Sequence, residues 1–285
     1  MAPLLLTCVA MSVARAGEYY VSPAGSEQDD GSRGSPWPSV EHALDQVGGG
    51  HTVVMLPGLY RGPVTIPAHC SGTRERPTVI KSQTKWAAAV MGAETYAVLA
   101  DNDCDWIVID GLEVFGARRD GIKILGDYGV VRNCWVHNNA HMGISSFGRE
   151  GVLIERNLVE YNGSHVQFHH GLYVNGARHE IAASIVRHNA GWGLHLYAEI
   201  TDSVIANNLV YGHAHRPGAI VQSPETGGRN VIVNNTLARN GGGIDIVSGS
   251  ANVLANNILI HQFDPIGLHD TSDPVIDHNL CLPGS

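Results

Sequence analysis

Basic residues are scarce in this chain of 285 residues. It has 18 lysines and arginines against 27 aspartates and glutamates, which gives a formal net charge of −9. Binding to nucleic-acid phosphates requires a net or clustered basic surface, and no such cluster is evident. We therefore expect no nucleic-acid partner. An acidic polymer needs a local basic patch to bind.

The chain also lacks an apolar run long enough to cross a membrane. Its most apolar stretch is the N-terminal segment MAPLLLTCVAMSVARA, which is too short to span a bilayer. It ends in the small-x-small triplet Ala14-Arg15-Ala16, as secretory signals do. We predict a signal peptide over 1–16, a single mature domain over 17–285, and a secreted or periplasmic protein without a membrane span.

Cysteine is too sparse and too scattered to define a site. Four cysteines remain after signal removal, with no CxxC pair and no metal-ligand spacing: Cys70, Cys104, Cys134 and Cys281. They therefore predict neither a zinc site nor a disulfide pattern. Cys134 falls on an inward repeat position, which predicts a buried free thiol.

A short unit repeats from residue 110 onward, with a period a little over twenty residues. Its copies include RNCWVHNN, RNLVEYN and NNLVYGH, and each is followed by a glycine and alternating residues, as in GIKIL, GLYVN and GLHLY. Such self-similarity marks a stacked array, and the alternation marks strands. Asparagine, glycine and β-branched residues in every unit disfavour helical repeats. We predict an all-β parallel β-helix (a solenoid) of roughly ten coils, with regular coils over about 104–282.

Asparagine recurs at one position of the repeat. We align the following residues as equivalent: Gly111, Asn133, Asn157, Ser184, Asn208, Asn235, Asn257 and Asn279. Asparagines stacked in register can hydrogen-bond along the array as a ladder. We therefore interpret these residues as scaffold rather than as catalytic groups.

The segment before the repeat predicts a cap over about 17–60. Val40, Ala43 and Leu44 share one helical face, and a run of three glycines follows. This pattern predicts a short amphipathic helix near 39–47. Such a helix would cover the end of the solenoid, where a terminal coil otherwise exposes strand edges and core.

Several motifs resemble a known group of proteins. The segment YYVSPAGSEQDDGSRGSPWPSVEHALDQVGGGHTVVMLPGLYRG, with its YVSPxGS start, its GSPWPS and its MLPGLYRG, resembles the opening of bacterial pectate-lyase-like β-helix proteins. HHGLYVNG and GWGLHLY resemble coils of right-handed parallel β-helix repeat proteins. The resemblance covers nearly the whole mature chain and implies a right-handed parallel β-helix. That scaffold carries lyases acting on pectate, alginate and chondroitin, but also hydrolases, epimerases and adhesins, so it does not fix the reaction.

The alternation within each predicted strand separates inward from outward side chains. The first outward column comprises Lys123, Ser145, Tyr173, His195, Ile220, Asp245 and His269. The second comprises Leu125, Phe147, Asn175, Tyr197, Gln222, Val247 and Thr271. Tyrosine, histidine, lysine and aspartate are side chains that transfer protons. We predict that Tyr173, His195, Lys123 and Asp245 are catalytic, although a purely structural sheet also has a polar outer face.

One coil is longer than the others. Only the Tyr173 coil carries a four-residue insertion, within Gly163–His170 (GSHVQFHH). Loops on a rigid scaffold commonly carry binding residues, so we expect this insertion to wall a cleft. The predicted substrate-binding residues are His169, His170, Asn175, Tyr197, Arg216 and Gln222.

Histidines are concentrated in the central coils. Those that would converge there are His165, His169, His170, His195, His213 and His215. Paired histidines without a cysteine or acidic ligand at a standard spacing are a weak metal signal, so we predict no metal site. Lyases of the similar group often hold calcium with aspartate and glutamate. These strands carry no acidic cluster that would support a calcium cofactor.

Four functions fit this pattern. The leading hypothesis is β-elimination of a uronic-acid polysaccharide, with Tyr173 and His195 as acid and base and Lys123, Arg216 or calcium neutralising the carboxylate. A glycoside hydrolase needs two carboxyl groups, with Glu199 or Glu225 as partner of Asp245. A C5-epimerase shares the proton abstraction, and a non-catalytic glycan-binding protein would need none of it. We expect a polysaccharide or oligosaccharide ligand and a monomer.

Overall fold

The chain forms a parallel β-helix. The computed structural model describes residues 16–283 apart from 93, 198, 214–218 and 224–226. The predicted signal segment therefore lies outside the described residues except for its last position. In the part described, the chain passes nine times through three parallel sheets, so the solenoid has about nine turns, close to the ten predicted. Within the same part, no helix is long and apolar enough to cross a membrane.

Each complete turn of the solenoid contributes one strand to each sheet, in the order first, second, third; the first sheet has two strands more than the third, and the second sheet one more. The strands of the first sheet are Glu18–Val21, Thr52–Met55, Thr78–Ser82, Ile107–Asp110, Val130–Arg132, Leu153–Glu155, Glu180–Ala182, Val204–Ala206, Val231–Val233, Val253–Ala255 and Val275–Asp277. Those of the second are Gly58–Arg61, Ala88–Met91, Glu113–Phe115, Trp135–His137, Leu158–Glu160, Ile185–Arg187, Leu209–Tyr211, Thr236–Ala238, Ile258–Gln262 and Leu280–Pro283. Those of the third are Val64–Ile66, Val98–Ala100, Ile122–Ile124, Ile144–Ser146, Leu172–Val174, Leu194–Tyr197, Ile220–Ser223, Ile244–Ser250 and Ile266–Ser272.

The short strands bury alternate side chains in one continuous core. In the first and second sheets the central residue of a strand points inward, so Ile154 and Val159 are almost fully buried. In the third sheet the first and last residues point inward, and Leu172 and Val174 have no exposed surface. The central residue of each third-sheet strand therefore faces outward. This alternation places the candidate site on the third sheet.

The predicted asparagine ladder is confirmed at the turn between the first and second sheets. It runs through Asn157, Ser184, Asn208, Asn235, Asn257 and Asn279, which are hydrogen-bonded in succession. The aligned landmark Asn133 lies one residue before the ladder position. With a φ of 55°, it is the left-handed residue of the turn. Cys134 occupies the ladder position instead: its backbone N–H donates to Asn157 Oδ1 at 2.9 Å, and its thiol is free and buried.

Two further ladders occupy the other turns. The turn from the second to the third sheet stacks Asn139, Asn162, Asn189, His213 and Asn240. The turn from the third to the first sheet stacks His179, Ser203, Asn230 and Asn252. His213 is thus a fully buried ladder residue and does not converge with the histidines of the central coils. These ladders satisfy buried backbone groups that the sharp turns leave unpaired.

The predicted cap helix is confirmed over Val40–Val47. Ser39 caps its first turn by accepting the backbone N–H of His42 at 3.2 Å, and Gly48, with φ of 69°, ends it. Val40, Ala43 and Leu44 are buried in the same core as the first coils. A 3-10 turn over Ala68–Cys70 follows the first third-sheet strand.

Substitution of Leu44 by alanine should uncover the end of this core. Large-to-small changes at buried leucines lower the free energy of unfolding by about 2–5 kcal/mol, and Leu44 is 1 % exposed. We expect a lower denaturant midpoint for Leu44→Ala. Asp45→Ala, on the exposed side of the same helix, is the control and should unfold like the parent. Equal midpoints for Leu44→Ala and the parent would show that the helix does not stabilise the solenoid.

Candidate active site

The central residues of the third-sheet strands form an outward column. Lys123 lies opposite Ser145, Ser145 opposite Tyr173, and Tyr173 opposite His195. The predicted adjacency of Tyr173 and His195 is therefore confirmed. Adjacent strands are about 4.8 Å apart, so Lys123 and His195 are separated by about 14 Å along the column.

Beyond His195 the column differs from the predicted one. It continues through Val221 and Asp245. Ala219 takes the place that glycine holds before the neighbouring strands, so the outward residue of this strand is one position later in the chain than predicted. Ile220 and Gln222 therefore point inward and are fully buried.

Gln222 is consequently not a substrate-binding residue, and that prediction is wrong. Its Nε2 donates to the Ser248 carbonyl at 3.3 Å, and its Oε1 accepts from the Asn230 side chain at 3.1 Å. Both contacts tie it to the interior of the solenoid. In the last turn Gly267, not His269, continues the column, because Gly267 pairs with Asp245 and His269 lies two residues further along the strand.

Asp245 lies in the column but is paired with a neighbouring side chain. Its Oδ1 lies 3.0 Å from His269 Nε2, and its exposure of 6 % is close to the 8 % of His195. Two strand steps separate it from His195. A direct catalytic role for Asp245 is therefore not supported by its position.

Tyr173 and His195 line a cavity of about 430 Å³ whose other walls are mostly aromatic. The Trp192 ring stacks on the His170 ring at 4.6 Å and 8°. The His195 ring stands perpendicular to Trp192, with the centroids 4.5 Å apart. Tyr197 lies beside both Tyr173 and His195, at 5.8 and 5.2 Å. The cavity therefore offers several ring faces and edges to one ligand.

The insertion supplies one side of this cavity, as predicted for a cleft wall. Gln167, Phe168 and His170 line it, and Phe168 is 64 % exposed. His170 is itself buried, and its Nδ1 accepts the backbone N–H of Trp192 at 3.1 Å. His169 points elsewhere and stacks on His141 with centroids 4.1 Å apart. The predicted binding role of His169 therefore gains no support from the cavity, whereas Phe168 was missed.

Burial favours the neutral forms of both Tyr173 and His195. The rings meet edge to face with centroids 5.1 Å apart. Desolvation lowers the pKa of His195 to about 4, and desolvation raises the pKa of Tyr173 to about 12. Burial disfavours the charged form of each group. Over a wide pH range, therefore, a neutral imidazole that can accept a proton lies beside a phenol that can donate one.

The other end of the column is basic. The Lys123 ammonium lies over the Phe147 ring at 4.2 Å and over the Tyr96 ring at 5.2 Å. The Arg119 guanidinium lies over the same Tyr96 ring at 5.3 Å. Phe147 in turn stacks on Tyr173 with centroids 5.4 Å apart. A continuous strip therefore leads from two cations to the Tyr173–His195 pair.

Asp120 holds Ser145 and Lys123 in place at the basic end of this strip. It is 5 % exposed; its Oδ2 accepts the Ser145 hydroxyl at 2.6 Å and lies 3.5 Å from Lys123 Nζ. Its Oδ1 accepts the backbone N–H of Met142 at 3.3 Å. Burial lowers the pKa of Lys123, and the Asp120 charge opposes that shift.

Most residues missed by the sequence prediction lie on turns. Arg119 and Asp120 precede the strand Ile122–Ile124, and Trp192 precedes Leu194–Tyr197. The motifs GARRDG and GWG contain them, and their place just before a groove strand was the available signal. Of the other predicted residues, Asn175 follows Leu172–Val174 and is half-buried. Arg216, with His215 and Glu225, lies outside the described residues.

The described residues of the groove do not fit a calcium ion. Among the residues with described positions, no group of three or more histidine, cysteine, aspartate or glutamate side chains converges. Asp120 and Asp245 are five strands apart in the third sheet, about 24 Å at the usual strand spacing. Calcium requires six to eight oxygen ligands from a tight cluster. We therefore derive no step through a metal.

Comparisons with known proteins agree with this architecture. The family described as "Pel9A-like, right handed beta helix region" matches residues 19–169, and a "right handed beta helix region" family matches 170–282. Pectate lyase PEL9 of Emericella nidulans is 32 % identical over 88 residues, which cover 31 % of this chain and 22 % of that protein. The match thus spans about a fifth of that relative's length.

Solved structures share the fold at low sequence identity. Pectate lyase Pel9A superposes with a TM-score of 0.65 at 17 % identity, over 93 % of this chain and 78 % of that one. The family 6 alginate lyase AlyGC gives 0.63 at 15 % identity, over 85 % and 34 %, and XylC in complex with xylose gives 0.62 at 11 % identity, over 89 % and 69 %. The predicted right-handed parallel β-helix is confirmed, and the chain belongs to the Pel9A-like right-handed β-helix family.

Proposed function

We propose that this protein is a polysaccharide lyase that cleaves a uronate-containing chain by β-elimination. The neutral Tyr173–His195 pair, at the end of a strip that carries Lys123 and Arg119, is the observation that carries the proposal. Pectate and alginate lyases with the same fold support the reaction class. The N-terminal segment supports action in the periplasm or outside the cell.

The reaction needs one proton removed and one delivered. His195 takes the C5 proton of the uronate, the C5–H electrons form the C4–C5 double bond, and the C4–O bond breaks. Tyr173 donates its hydroxyl proton to the departing glycosidic oxygen. The imidazolium then returns a proton to the Tyr173 phenolate, which restores both groups. Proton transfer by positioned side chains of this kind accelerates reactions by about 10²–10⁴-fold.

The C5 proton becomes acidic enough only when the uronate carboxylate is neutralised. Among the described residues, Lys123 and Arg119 are cations that lie at this part of the groove, over the Tyr96 ring. Asp120 holds the Lys123 ammonium in place. The uronate accordingly lies along this strip, between the Lys123 ammonium and the Tyr173 hydroxyl. The scissile bond then lies over Tyr173 and His195.

Glycoside hydrolysis fits the groove less well. It needs two carboxyl groups about 5–10 Å apart on either side of the bond. Asp120 and Asp245 are far outside that range, and Asp245 is paired with His269. Glu199 lines a separate cavity with Arg149 and Thr201. We therefore rank elimination above hydrolysis.

Incubation with a panel of acidic polysaccharides tests the proposal. A lyase produces an unsaturated uronate that absorbs in the ultraviolet, together with new reducing ends. A hydrolase produces reducing ends alone, and an epimerase or a binding protein produces neither. If every uronate polymer that binds is cleaved without a rise in ultraviolet absorption, the proposal of β-elimination is overturned.

The pH dependence of turnover should reflect the lowered pKa of His195. Because the base must be neutral, activity is lost as pH falls through the pKa of the folded protein. That pKa is about 4, whereas an unperturbed histidine has a pKa near 6.5. We expect kcat/KM to persist from pH 7 down to pH 5 and to fall only near pH 4. NMR titration of the His195 ring is the independent check, and an acid limb near 6.5 in both measurements would contradict the assignment.

Lys123→Ala should mainly weaken binding of an acidic substrate. Loss of one partly desolvated cation should raise Kd by about 10-fold, equivalent to about 1.4 kcal/mol. The effect should be larger at low salt, where the charge is least screened. Calorimetric titration with a uronate oligosaccharide at two salt concentrations measures it. Lys81→Ala, which removes a cation paired with Glu18 on the first sheet, is the control, and equal losses in the two variants would exclude a local role for Lys123.

A further inference from the structure

Two buried cysteines lie in adjacent coils at the capped end of the solenoid. Cys70 ends the 3-10 turn Ala68–Cys70 after the first third-sheet strand, and Cys104 follows the second strand of that sheet. Neither residue has exposed surface, and both belong to the core that contains the buried face of the cap helix. Both thiols are free in this structure. The proposed reaction uses neither of them.

The register of the third sheet places one cysteine over the other. The strands Val64–Ile66 and Val98–Ala100 pair in parallel, and each residue lies opposite the residue 34 positions later. Cys70 and Cys104 have the same separation in the sequence. They therefore occupy equivalent positions of successive coils wherever the strand register continues into the turn.

Contacts between the two turns show that the register does continue. The Ser71 hydroxyl donates to the Asp103 carbonyl at 2.9 Å and accepts the backbone N–H of Asp105 at 2.9 Å. Ser71 directly follows Cys70, and the two aspartates flank Cys104 in the chain. The neighbours of one cysteine are thus bonded to the neighbours of the other.

The two cysteines also end turns of the same conformation. The Cys70 N–H donates to the Pro67 carbonyl at 2.9 Å, and the Cys104 N–H donates to the Asp101 carbonyl at 3.1 Å. The Cys104 sulfur lies 3.2 Å from the same Pro67 oxygen. The Cys104 thiol therefore reaches into the turn that holds Cys70.

Glycine flanks this pair on both sides of the stack. Gly49, in the loop after the cap helix, lies so close to Cys70 that a Cβ atom would be 2.6 Å from the Cys70 carbonyl oxygen. Gly126 lies against the Cys104 carbonyl in the same way. Each cysteine therefore has the other as its side-chain neighbour along the stack. Parallel strands are about 4.8 Å apart, and a disulfide requires Cα atoms about 4.4–6.8 Å apart.

We propose that Cys70 and Cys104 form a disulfide that joins the first two complete coils beneath the cap helix. The oxidant is a small disulfide such as oxidised glutathione. One cysteine thiolate attacks it and releases one glutathione, and the second attacks the mixed disulfide and releases the other. Two electrons pass from the cysteine pair to the oxidant, and both cysteine protons end on the released glutathione thiols. The bond does not depend on the proposed lyase reaction.

The disulfide forms while the chain folds. Burial raises the pKa of the Cys104 thiol to about 12 and also raises the pKa of the Cys70 thiol. Because the thiolate is the attacking form, the closed core protects both the thiols and the finished bond. Disulfides persist in oxidising compartments, which agrees with the proposed action in the periplasm or outside the cell.

Peptide mapping tests the pairing. The protein is unfolded, refolded in glutathione buffers of several redox ratios, unfolded again with N-ethylmaleimide to block free thiols, and digested with trypsin. Trypsin places Cys70 and Cys104 in separate peptides, 62–74 and 86–118. We expect the mass of these two peptides joined, less two hydrogens, and its loss on reduction. Recovery of both peptides as blocked thiols at every ratio, or joined to other cysteines instead, would overturn the proposal.

Thermal unfolding is the second measurement. A crosslink over 34 residues restricts the unfolded chain, so the oxidised protein should melt about 5–10 °C above the same protein refolded with reductant. Cys70→Ala and Cys104→Ala should abolish this difference. Cys134→Ala, which changes a buried thiol bonded to the Asn157 ladder position, should keep it. The comparison in the parent protein needs no substitution, so it holds even if an alanine variant does not fold. Equal melting of the oxidised and reduced parent would overturn the proposed link between the coils.

Discussion

Replacement of His195 by alanine or of Tyr173 by phenylalanine should lower turnover by about 100-fold or more, the usual effect of removing a proton-transfer group. Both side chains lie on the outer face of the third sheet, and both line the aromatic cavity. Tyr173→Phe is the sharper change, because it removes only the hydroxyl and keeps the contacts of the ring with Phe147 and His195. The initial rate of ultraviolet absorbance on the identified substrate measures the effect.

Two matched variants control for a general loss of structure. His188→Ala and Tyr161→Phe change a stacked tyrosine–histidine pair on the turns that follow the second sheet, and both should retain activity. The double variant of His195 and Tyr173 should be little slower than the slower single variant, since groups that act as a unit give strongly non-additive losses. Full activity of both single variants on the true substrate would exclude this site.

Asn235→Ala should destabilise the solenoid strongly. Asn235 is fully buried. Its Nδ2 donates to the Ile205 carbonyl at 2.9 Å and to Asn257 Oδ1 at 3.1 Å. Its Oδ1 accepts both the backbone N–H and the side-chain amide of Asn208 at 3.0 Å. Each buried polar group left without a partner costs about 1–3 kcal/mol, so we expect a loss of about 3 kcal/mol or more.

Chemical denaturation followed by circular dichroism measures this loss. Asn235→Ser should be less damaging, because Ser184 occupies the same ladder and its hydroxyl accepts the backbone N–H of Asn157 at 3.2 Å. Thr236→Ala changes the adjacent, half-buried outward side chain and should shift the midpoint little. If Asn235→Ala unfolded at the same midpoint as Thr236→Ala, the ladder would contribute nothing to stability.

The scaffold could be predicted because its rules are local. Strand alternation, a repeated asparagine and the cap pattern of Val40, Ala43 and Leu44 depend on neighbouring positions, and each was confirmed. The adjacency of Tyr173 and His195 followed from the repeat alone. A regular repeat transfers register from one coil to the next, so residues distant in sequence are placed side by side.

The errors arose where the repeat changes locally. In one coil Ala219 replaces the usual glycine, so the alternation shifted by a residue and turned Gln222 inward. A shift of one residue moves every side chain of a strand to the opposite face. Landmarks in the sequence could not distinguish the two registers, whereas the paired strands do.

The β-helix, its cap, one of its three ladders and the strand face on which Tyr173 and His195 lie could be read from the amino-acid sequence, because periodicity and turn chemistry act over a few residues. The turn residues that surround that pair became known from the packed solenoid. Trp192, Phe168 and Arg119 reach the groove from turns of different lengths, whose paths no alternation rule describes. It also decided the charge states there: burial by neighbours from several coils lowers the pKa of His195 and raises that of Tyr173, and burial is a property of the packed solenoid rather than of any segment of the chain.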